Sequence, residues 1–176
     1  EQKHVMFAFD DKGAQQGIHA INADGKILPF DGDYLHINEA NFSGSKANLY
    51  ISKQVTQDYK VKGDNIEKTV TINFKNSHKA SDCNLERGGL CLNSVYKSWL
   101  RIYVPKGSKM ISNRGSEVKL TSYDELGKTV FDGFLSVRPL GQTTFTITYS
   151  IPANLVKNGT LPLLIRKQPG LSEEEF

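Results

Sequence analysis

The residues of this sequence that could act in catalysis are few and widely spaced. Histidines occur at positions 4, 19, 36 and 78, without the His-x-x-x-His spacing of a zinc site, and no Gly-x-Ser-x-Gly turn presents a nucleophile. A catalytic triad assembles in space, so the sequence alone leaves one open. We interpret His36, in a predicted strand, as a structural or surface residue. The sequence therefore predicts no catalytic residue and no hydrolytic activity for the isolated chain.

Asp31 and Asp33 flank Gly32 and are the residues best suited to bind a metal ion. Two carboxylates in a tight loop supply the oxygen ligands that calcium prefers. The spacing matches no complete calcium loop, however, and Asp-Gly is also a common turn dipeptide. We favour a turn here, with calcium as the alternative, and we expect no tightly bound cofactor.

Cys83 and Cys91 are the two cysteines of the chain, and Gly88 and Gly89 between them let the backbone turn back on itself. A disulfide that closes this loop would stabilise the protein by about 2–3 kcal/mol. The alternatives are two free, part-buried thiols, or a zinc site that would need more ligands than the nearby His78. A disulfide is favoured if the protein lies outside the cytosol.

Trp99 and Tyr103 alternate with Leu100, Ile102 and Val104 in a strand-like run. This alternation places the two aromatic side chains on one face of a strand and the aliphatic ones on the other. Exposed aromatic rings on a sheet stack on sugars or anchor a protein partner, so Trp99 and Tyr103 are the candidate ligand-binding residues. The alternative is a central strand buried on both faces, in which Trp99 belongs to the core.

The composition excludes several classes of protein. The chain has 176 residues, of which 38% are hydrophobic and 23% charged, enough to form one domain or two small ones. Its formal net charge of +3 is spread over single residues rather than gathered in a basic patch, so we expect no nucleic-acid binding. No apolar run is long enough to span a membrane. The chain does not begin with methionine, and we expect it to be a piece of a longer protein.

Short strands separated by turn residues predict a mainly β fold. Residues 143–151 alternate apolar side chains with threonine and serine, and residues 55–74 form a hairpin around the turn at 62–65. Residues 14–20 and 123–127 are predicted as short helical turns, the second closed by a glycine. We expect further strands at residues 5–9, 27–28, 34–37, 99–104, 117–121, 130–138 and 163–167.

About ten short strands predict an antiparallel, Ig-like β-sandwich, which we assign to residues 46–170. Residues 1–45 fit this pattern less well, and we expect a small, less regular N-terminal subdomain there. The alternative is that this segment is the end of a larger upstream domain. Residues 171–176, with three consecutive glutamates, are predicted to be a flexible tail.

Six segments carry a resemblance that covers nearly the whole chain. They are residues 3–11 (KHVMFAFDD), 31–35 (DGDYL), 68–76 (KTVTINFKN), 101–108 (RIYVPKGS), 126–131 (LGKTVF) and 166–170 (RKQPG). Together they resemble the C-terminal part of the bacterial domain-of-unknown-function 4012 family. One departure is visible, because residues 44–48 read GSKAN where family members often carry a Gly-rich turn followed by Lys-Ser-Asp.

The resemblance implies a setting but no established activity. Members of the family look like long surface or secreted proteins with an N-terminal membrane anchor, so we expect an extracellular, cell-surface location and contact with a membrane only through an upstream anchor. This setting favours the disulfide between Cys83 and Cys91. We predict a non-catalytic module with a scaffold or adhesion role, whose partner is a cell-surface protein or a glycan. The alternatives are a glycan-binding module that uses Trp99 and Tyr103, or part of an envelope enzyme whose catalytic residues lie upstream.

Overall fold

A computed structural model describes residues 5–63 and 65–169 of the chain. It shows a mainly β protein in which two sheets pack together, with a few short helical turns, and this confirms the predicted β-sandwich. The predicted tail, 171–176, lies outside the described residues. The strands are β1 (Asp33–Asn41), β2 (Ile51–Lys62), β3 (Asn65–Asn76), β4 (Tyr96–Pro105), β5 (Lys109–Arg114), β6 (Thr121–Glu125), β7 (Lys128–Val137), β8 (Gln142–Ile151) and β9 (Leu163–Arg166). The helix α1 spans Lys12–Ala20, and single 3-10 turns span Ala47–Tyr50, Leu85–Arg87 and Ala153–Leu155.

The two sheets differ in strand number and connection. The five-stranded sheet has the order β6-β7-β4-β1-β9, and the four-stranded sheet has the order β2-β3-β8-β5. Neighbouring strands are antiparallel except β1 and β9, which run parallel from the pair Asp33–Leu163 to the pair His36–Arg166. The predicted antiparallel sandwich thus includes one parallel pair, at this edge. The chain leaves β8 at Pro152 and crosses to the other sheet, where it arrives beside the start of β1 and runs in the same direction.

Alternation along each strand decides which side chains form the core between the sheets. In β8 the predicted faces are confirmed, because one face is buried and Thr144, Thr146 and Thr148 lie on the other. The buried side chains of β8 are Phe145, Ile147, Tyr149 and Ile151. They pack with apolar residues of β3, β4 and β7 in one continuous cluster. Burial of these side chains is the main source of stability of the fold.

The N-terminal segment, residues 5–30, precedes β1, and its end lies against the outer face of the five-stranded sheet. Its predicted strands at 5–9 and 27–28 do not form, whereas α1 confirms the predicted helical turn. Asp11 caps α1 by accepting a hydrogen bond from the Ala14 N–H. Ile27 and Phe30 pack on a small second cluster. The strand β1 falls inside the predicted 1–45 segment and yet belongs to the sandwich, so the irregular part ends before Asp33.

Residues 123–127 form the end of a hairpin rather than the predicted helical turn. β6 runs through Glu125, the chain turns at Leu126 and Gly127, and β7 begins at Lys128. Leu126 and Gly127 have φ values of 50° and 73°. Two consecutive positive φ values are typical of the tight turn that joins twisted antiparallel strands. Gly127 therefore closes a hairpin, not a helix.

Candidate functional site

The outer face of the five-stranded sheet carries side chains in rows that cross several strands. Pairing register places Ala40 beside Trp99, and Trp99 beside Phe134, in what we call the aromatic row. One step along the strands lies the polar row, which consists of Asn38, Arg101, Asp132 and Thr121. A further step along lies a third row of His36, Tyr103, Val130 and Tyr123, of which the first three are buried. Successive rows are about 7 Å apart, because alternate residues of a strand share a face.

The aromatic row is completed by Phe42, which follows β1. Its backbone N–H donates to the Lys97 carbonyl at 2.8 Å, which brings the segment beside β4. The Phe42 ring meets the Trp99 ring edge-on, with centroids 6.1 Å apart, and the Phe134 ring at 5.7 Å. Phe42 is 59% exposed, whereas Trp99 and Phe134 are half-buried. The three rings hold one another in place and leave apolar surface open to a ligand.

Arg101 lies at the centre of the polar row. Its guanidinium is 4.8 Å from the centre of the Trp99 ring and 5.6 Å from that of Tyr103. It donates to Asn38 Oδ1 at 2.9 Å and lies 3.6 Å from the Glu125 carboxylate. Two aromatic contacts, a hydrogen bond and an ion pair fix the orientation of this planar group. Arg101 therefore presents its remaining donors in a defined direction.

Asp132 supplies the acceptors of the polar row. Its carboxylate accepts hydrogen bonds from the Thr121 hydroxyl and, at 3.4 Å, from the Tyr123 hydroxyl. An amide, a guanidinium, a carboxylate and a hydroxyl thus follow one another across four strands. This set can donate to and accept from a polar ligand along a line that runs beside exposed aromatic rings.

Tyr103 does not share this exposure, contrary to the interpretation of it as a surface aromatic. It is 3% exposed and forms the second cluster with Tyr34 and Val130, beneath the N-terminal segment. Its hydroxyl donates to Glu125 at 2.5 Å. Burial, together with this hydrogen bond, raises the pKa of Tyr103. Of the two predicted ligand-binding aromatics, only Trp99 is therefore open to a ligand.

Asp31 and Asp33, the candidate calcium ligands, each have a lysine partner. Asp33 is completely buried and lies 2.5 Å from the Lys68 ammonium, whereas the exposed Asp31 pairs with Lys157. The described residues contain no group of three or more His, Cys, Asp or Glu side chains placed to hold a metal ion. Calcium would have to displace an ammonium at each carboxylate.

The disulfide between Cys83 and Cys91 is present and confirms that prediction. It closes the loop around the 3-10 turn, and Gly88, with a φ of 78°, makes the reversal. The loop lies on the surface, with Leu85 and Leu90 exposed.

Several residues with unusual surroundings in the structure were not identified from the sequence. Lys68 occupies a core-facing position between Ile66 and Val70, and Lys53 likewise faces inward in β2, pairing with Glu39 at 2.5 Å. In a strand whose alternate residues are apolar and face the core, a lysine at one of those core-facing positions can be recognised from the sequence. The polar row had no such signal, because its members come together only through the pairing of strands distant in sequence.

Comparison with known proteins assigns no relatives to this chain. No protein-family model matches it, and no curated protein sequence does so either. The resemblance to the domain-of-unknown-function 4012 family therefore stays a prediction. No helix within residues 5–63 and 65–169 has the length and apolar character needed to cross a membrane.

Proposed function

We propose that this chain is a non-catalytic adhesion module of a bacterial cell-surface protein, and that it binds a neutral glycan on the outer face of the five-stranded sheet. The cell-surface setting rests on the family resemblance. It is supported by the disulfide between Cys83 and Cys91, because such bonds persist in oxidising compartments. The ligand class rests on the side chains of the aromatic and polar rows.

The observation that carries the proposal is the exposed ring cluster beside a row of fixed hydrogen-bonding groups. A sugar ring has apolar C–H faces and polar hydroxyl edges. Stacked on Trp99 with its edge against Phe42, it would direct its hydroxyls toward Asn38, Arg101 and Asp132, about 7 Å away in the next row. Because these polar groups already hold one another, binding orders few side chains and loses little entropy.

The charges of the face favour a neutral ligand over an acidic one. Arg101 is the cation of the polar row, and two carboxylates lie near it: Asp132 is its register partner on β7, and Glu125 on β6 lies 3.6 Å from its guanidinium. A phosphate or nucleic-acid backbone would meet as much negative charge as positive. Neutral sugar hydroxyls can instead pair with donors and acceptors alike.

A direct test is to titrate the purified chain with neutral glycans, on an array and then by calorimetry, including fragments of bacterial cell-wall glycan. We expect saturable binding to at least one neutral glycan. Trp99→Ala should weaken that binding by at least about ten-fold, or roughly 1.4 kcal/mol, because it removes the stacking surface. The matched control is Thr71→Ala on the outer face of the four-stranded sheet, which should leave the affinity unchanged.

The outcomes of this experiment separate the alternatives. Absence of saturable glycan binding, or binding that Trp99→Ala leaves intact while the variant keeps its fold, would contradict the proposal. Binding of cell-surface proteins but not glycans would favour protein adhesion through the same face. Cleavage of a glycan by the purified chain, abolished by substitution of one histidine or carboxylate, would favour an envelope enzyme.

A further inference from the structure

A buried cluster of Asp33, Lys68 and Tyr59 joins the two sheets at one end of the core. Asp33 begins β1 of the five-stranded sheet, whereas Lys68 and Tyr59 belong to the four-stranded sheet. The Lys68 ammonium lies 2.5 Å from Asp33 Oδ2, and the Tyr59 hydroxyl donates to the same oxygen at 2.5 Å. The side chains of Asp33 and Lys68 are both 0% exposed. None of the described residues donates a hydrogen bond to Asp33 Oδ1.

Glu39, Lys53 and Tyr96 form a second cluster of the same chemical types, and the two clusters differ in geometry. Lys53 lies 2.5 Å from Glu39 Oε1, whereas Tyr96 donates to the other oxygen, Oε2, at 2.6 Å. Both Glu39 oxygens therefore have donors, and the side chains of the pair are 7% exposed. At Asp33, by contrast, the amine and the phenol converge on one oxygen, and neither the Asp33 nor the Lys68 side chain is exposed.

We propose that Lys68 and Asp33 condense to form an intramolecular amide cross-link between the two sheets. Transfer of a proton from the ammonium to the carboxylate gives a neutral amine and a carboxylic acid. The lone pair of Lys68 Nζ then attacks Asp33 Cγ and forms the N–C bond. A proton passes from the nitrogen to Oδ2, the Cγ–Oδ2 bond breaks, and one water molecule leaves. Oδ1 remains as the carbonyl oxygen of the amide, and the step requires no oxidant or co-reactant.

The surroundings favour each part of this step. Burial lowers the pKa of Lys68, against the opposing effect of the Asp33 charge, and so favours the neutral amine that must attack. Burial, with the bond to Asp33, raises the pKa of Tyr59, so its hydroxyl stays protonated and relays a proton to Oδ2. Tyr59 also lines an open cavity of about 740 Å³ at this end of the sandwich, which gives the water a way out.

Condensation also removes the cost of keeping two charged groups buried. Two buried charges carry a desolvation penalty that their mutual attraction offsets only in part, and a neutral amide removes both charges. Asp33 Oδ1 is left without a donor, which costs less for an amide carbonyl than for a charged carboxylate. The fold holds the two groups in contact, so the reaction has the high effective concentration of an intramolecular step.

The test is intact mass spectrometry of the full chain after reduction and denaturation. We expect a mass lower than that of the sequence by one water molecule, and a proteolytic peptide in which Lys68 is joined to Asp33. Because an N-terminal glutamate such as Glu1 can cyclise with the same loss, fragmentation must locate the missing water. A full sequence mass, or a loss located anywhere else, would overturn the proposal.

Two conservative variants sharpen the result. The Lys68→Arg variant should have the full mass of its own sequence, without loss of water, because a guanidinium does not act as the nucleophile. Lys53→Arg, in the second cluster, should keep the loss of water. A loss that survives Lys68→Arg would also refute the cross-link. If Lys68→Arg fails to fold, the mass and fragmentation of the unaltered chain decide the question alone.

Discussion

The two outer faces of the sandwich are built on the same alternation but carry different chemistry. On the four-stranded sheet, Thr69 and Thr148 meet across β3 and β8 at 2.9 Å, and Thr144 donates to Asn73 at 2.7 Å. On the five-stranded sheet the corresponding positions carry aromatic rings, a guanidinium and carboxylates. Small hydroxyl side chains form hydrogen bonds with one another and with water, whereas the exposed part of an aromatic ring forms none.

This difference indicates which outer face of the sandwich is the better candidate for binding. Threonine is favoured in strands for its branched side chain alone, so a threonine face needs no ligand to explain it. An exposed ring such as Phe42, held edge-on against Trp99, departs from the ordinary composition of a solvated face. Departures from local rules are expected at functional positions. The comparison therefore supports the proposed glycan site on the outer face of the five-stranded sheet and gives no reason to propose one on the threonine face.

The largest change in stability is expected for the core-facing side of β8, compared with its solvent-facing side. Phe145→Ala should lower the free energy of unfolding by about 3–5 kcal/mol, because the ring is 2% exposed and its loss leaves a cavity. Thr146→Ala, on the outer face next to it, should change stability by no more than about 0.5 kcal/mol. Urea denaturation of both variants measures the two values. Equal shifts of the midpoint would show that the faces are wrongly assigned.

On the five-stranded sheet, substitution of Trp99 should reduce stability less than it reduces glycan binding. Trp99→Ala should destabilise the fold by about 1–2 kcal/mol, less than a core aromatic, because the side chain is only half-buried. The same variant should lose most of its glycan affinity. Thermal unfolding monitored beside the binding titration compares the two effects. A loss of stability as large as that of Phe145→Ala would mean that Trp99 is a core residue and would remove the basis for a binding face.

Sequence alternation predicted much of the fold, because burial on one side of a strand is a local pattern. It assigned the faces of β8 and the β2–β3 hairpin correctly. It could not predict that Ile27 and Phe30 pack on the cluster that contains Tyr103, since that contact joins segments far apart in the chain. Arg101 and Asp132 were missed for the same reason: their proximity depends on strand pairing. The disulfide was predictable, because its loop is short and its turn glycines are local.

His36, on the outer face of the five-stranded sheet, should make the stability of the protein depend on pH. Its ring is buried beside Tyr103, and its Nδ1–H donates to the Arg166 carbonyl at 2.9 Å. Burial lowers the pKa of His36 below the value of about 6.5 expected in the unfolded chain. The unfolded state therefore takes up a proton first as the pH falls. The stability contribution is fully present above pH 6.5 or so and is lost as the pH falls through the lowered folded pKa.

The measurement is the free energy of unfolding between about pH 8 and pH 5. The unaltered chain should become less stable over the lower part of this range, and His36→Gln should flatten that dependence. The control is Thr71→Ala on the outer face of the four-stranded sheet, which removes no titratable group and should leave the slope unchanged. A slope that persists without His36 would place the titrating group elsewhere.

The smallest expected effects come from double-mutant cycles, one on each outer face. For Thr69 and Thr148, substitution of both by valine should give a coupling energy below about 0.5 kcal/mol, because two solvated hydroxyls exchange one hydrogen bond for bonds to water. For Trp99 and Arg101, whose guanidinium stacks at 4.8 Å, substitution of both by alanine should give about 0.5–1 kcal/mol. The larger coupling would mean that Arg101 is held in place before any ligand arrives, as binding with little loss of entropy requires. Equal couplings on both faces would instead mean that the polar row is no better ordered than an ordinary solvated surface.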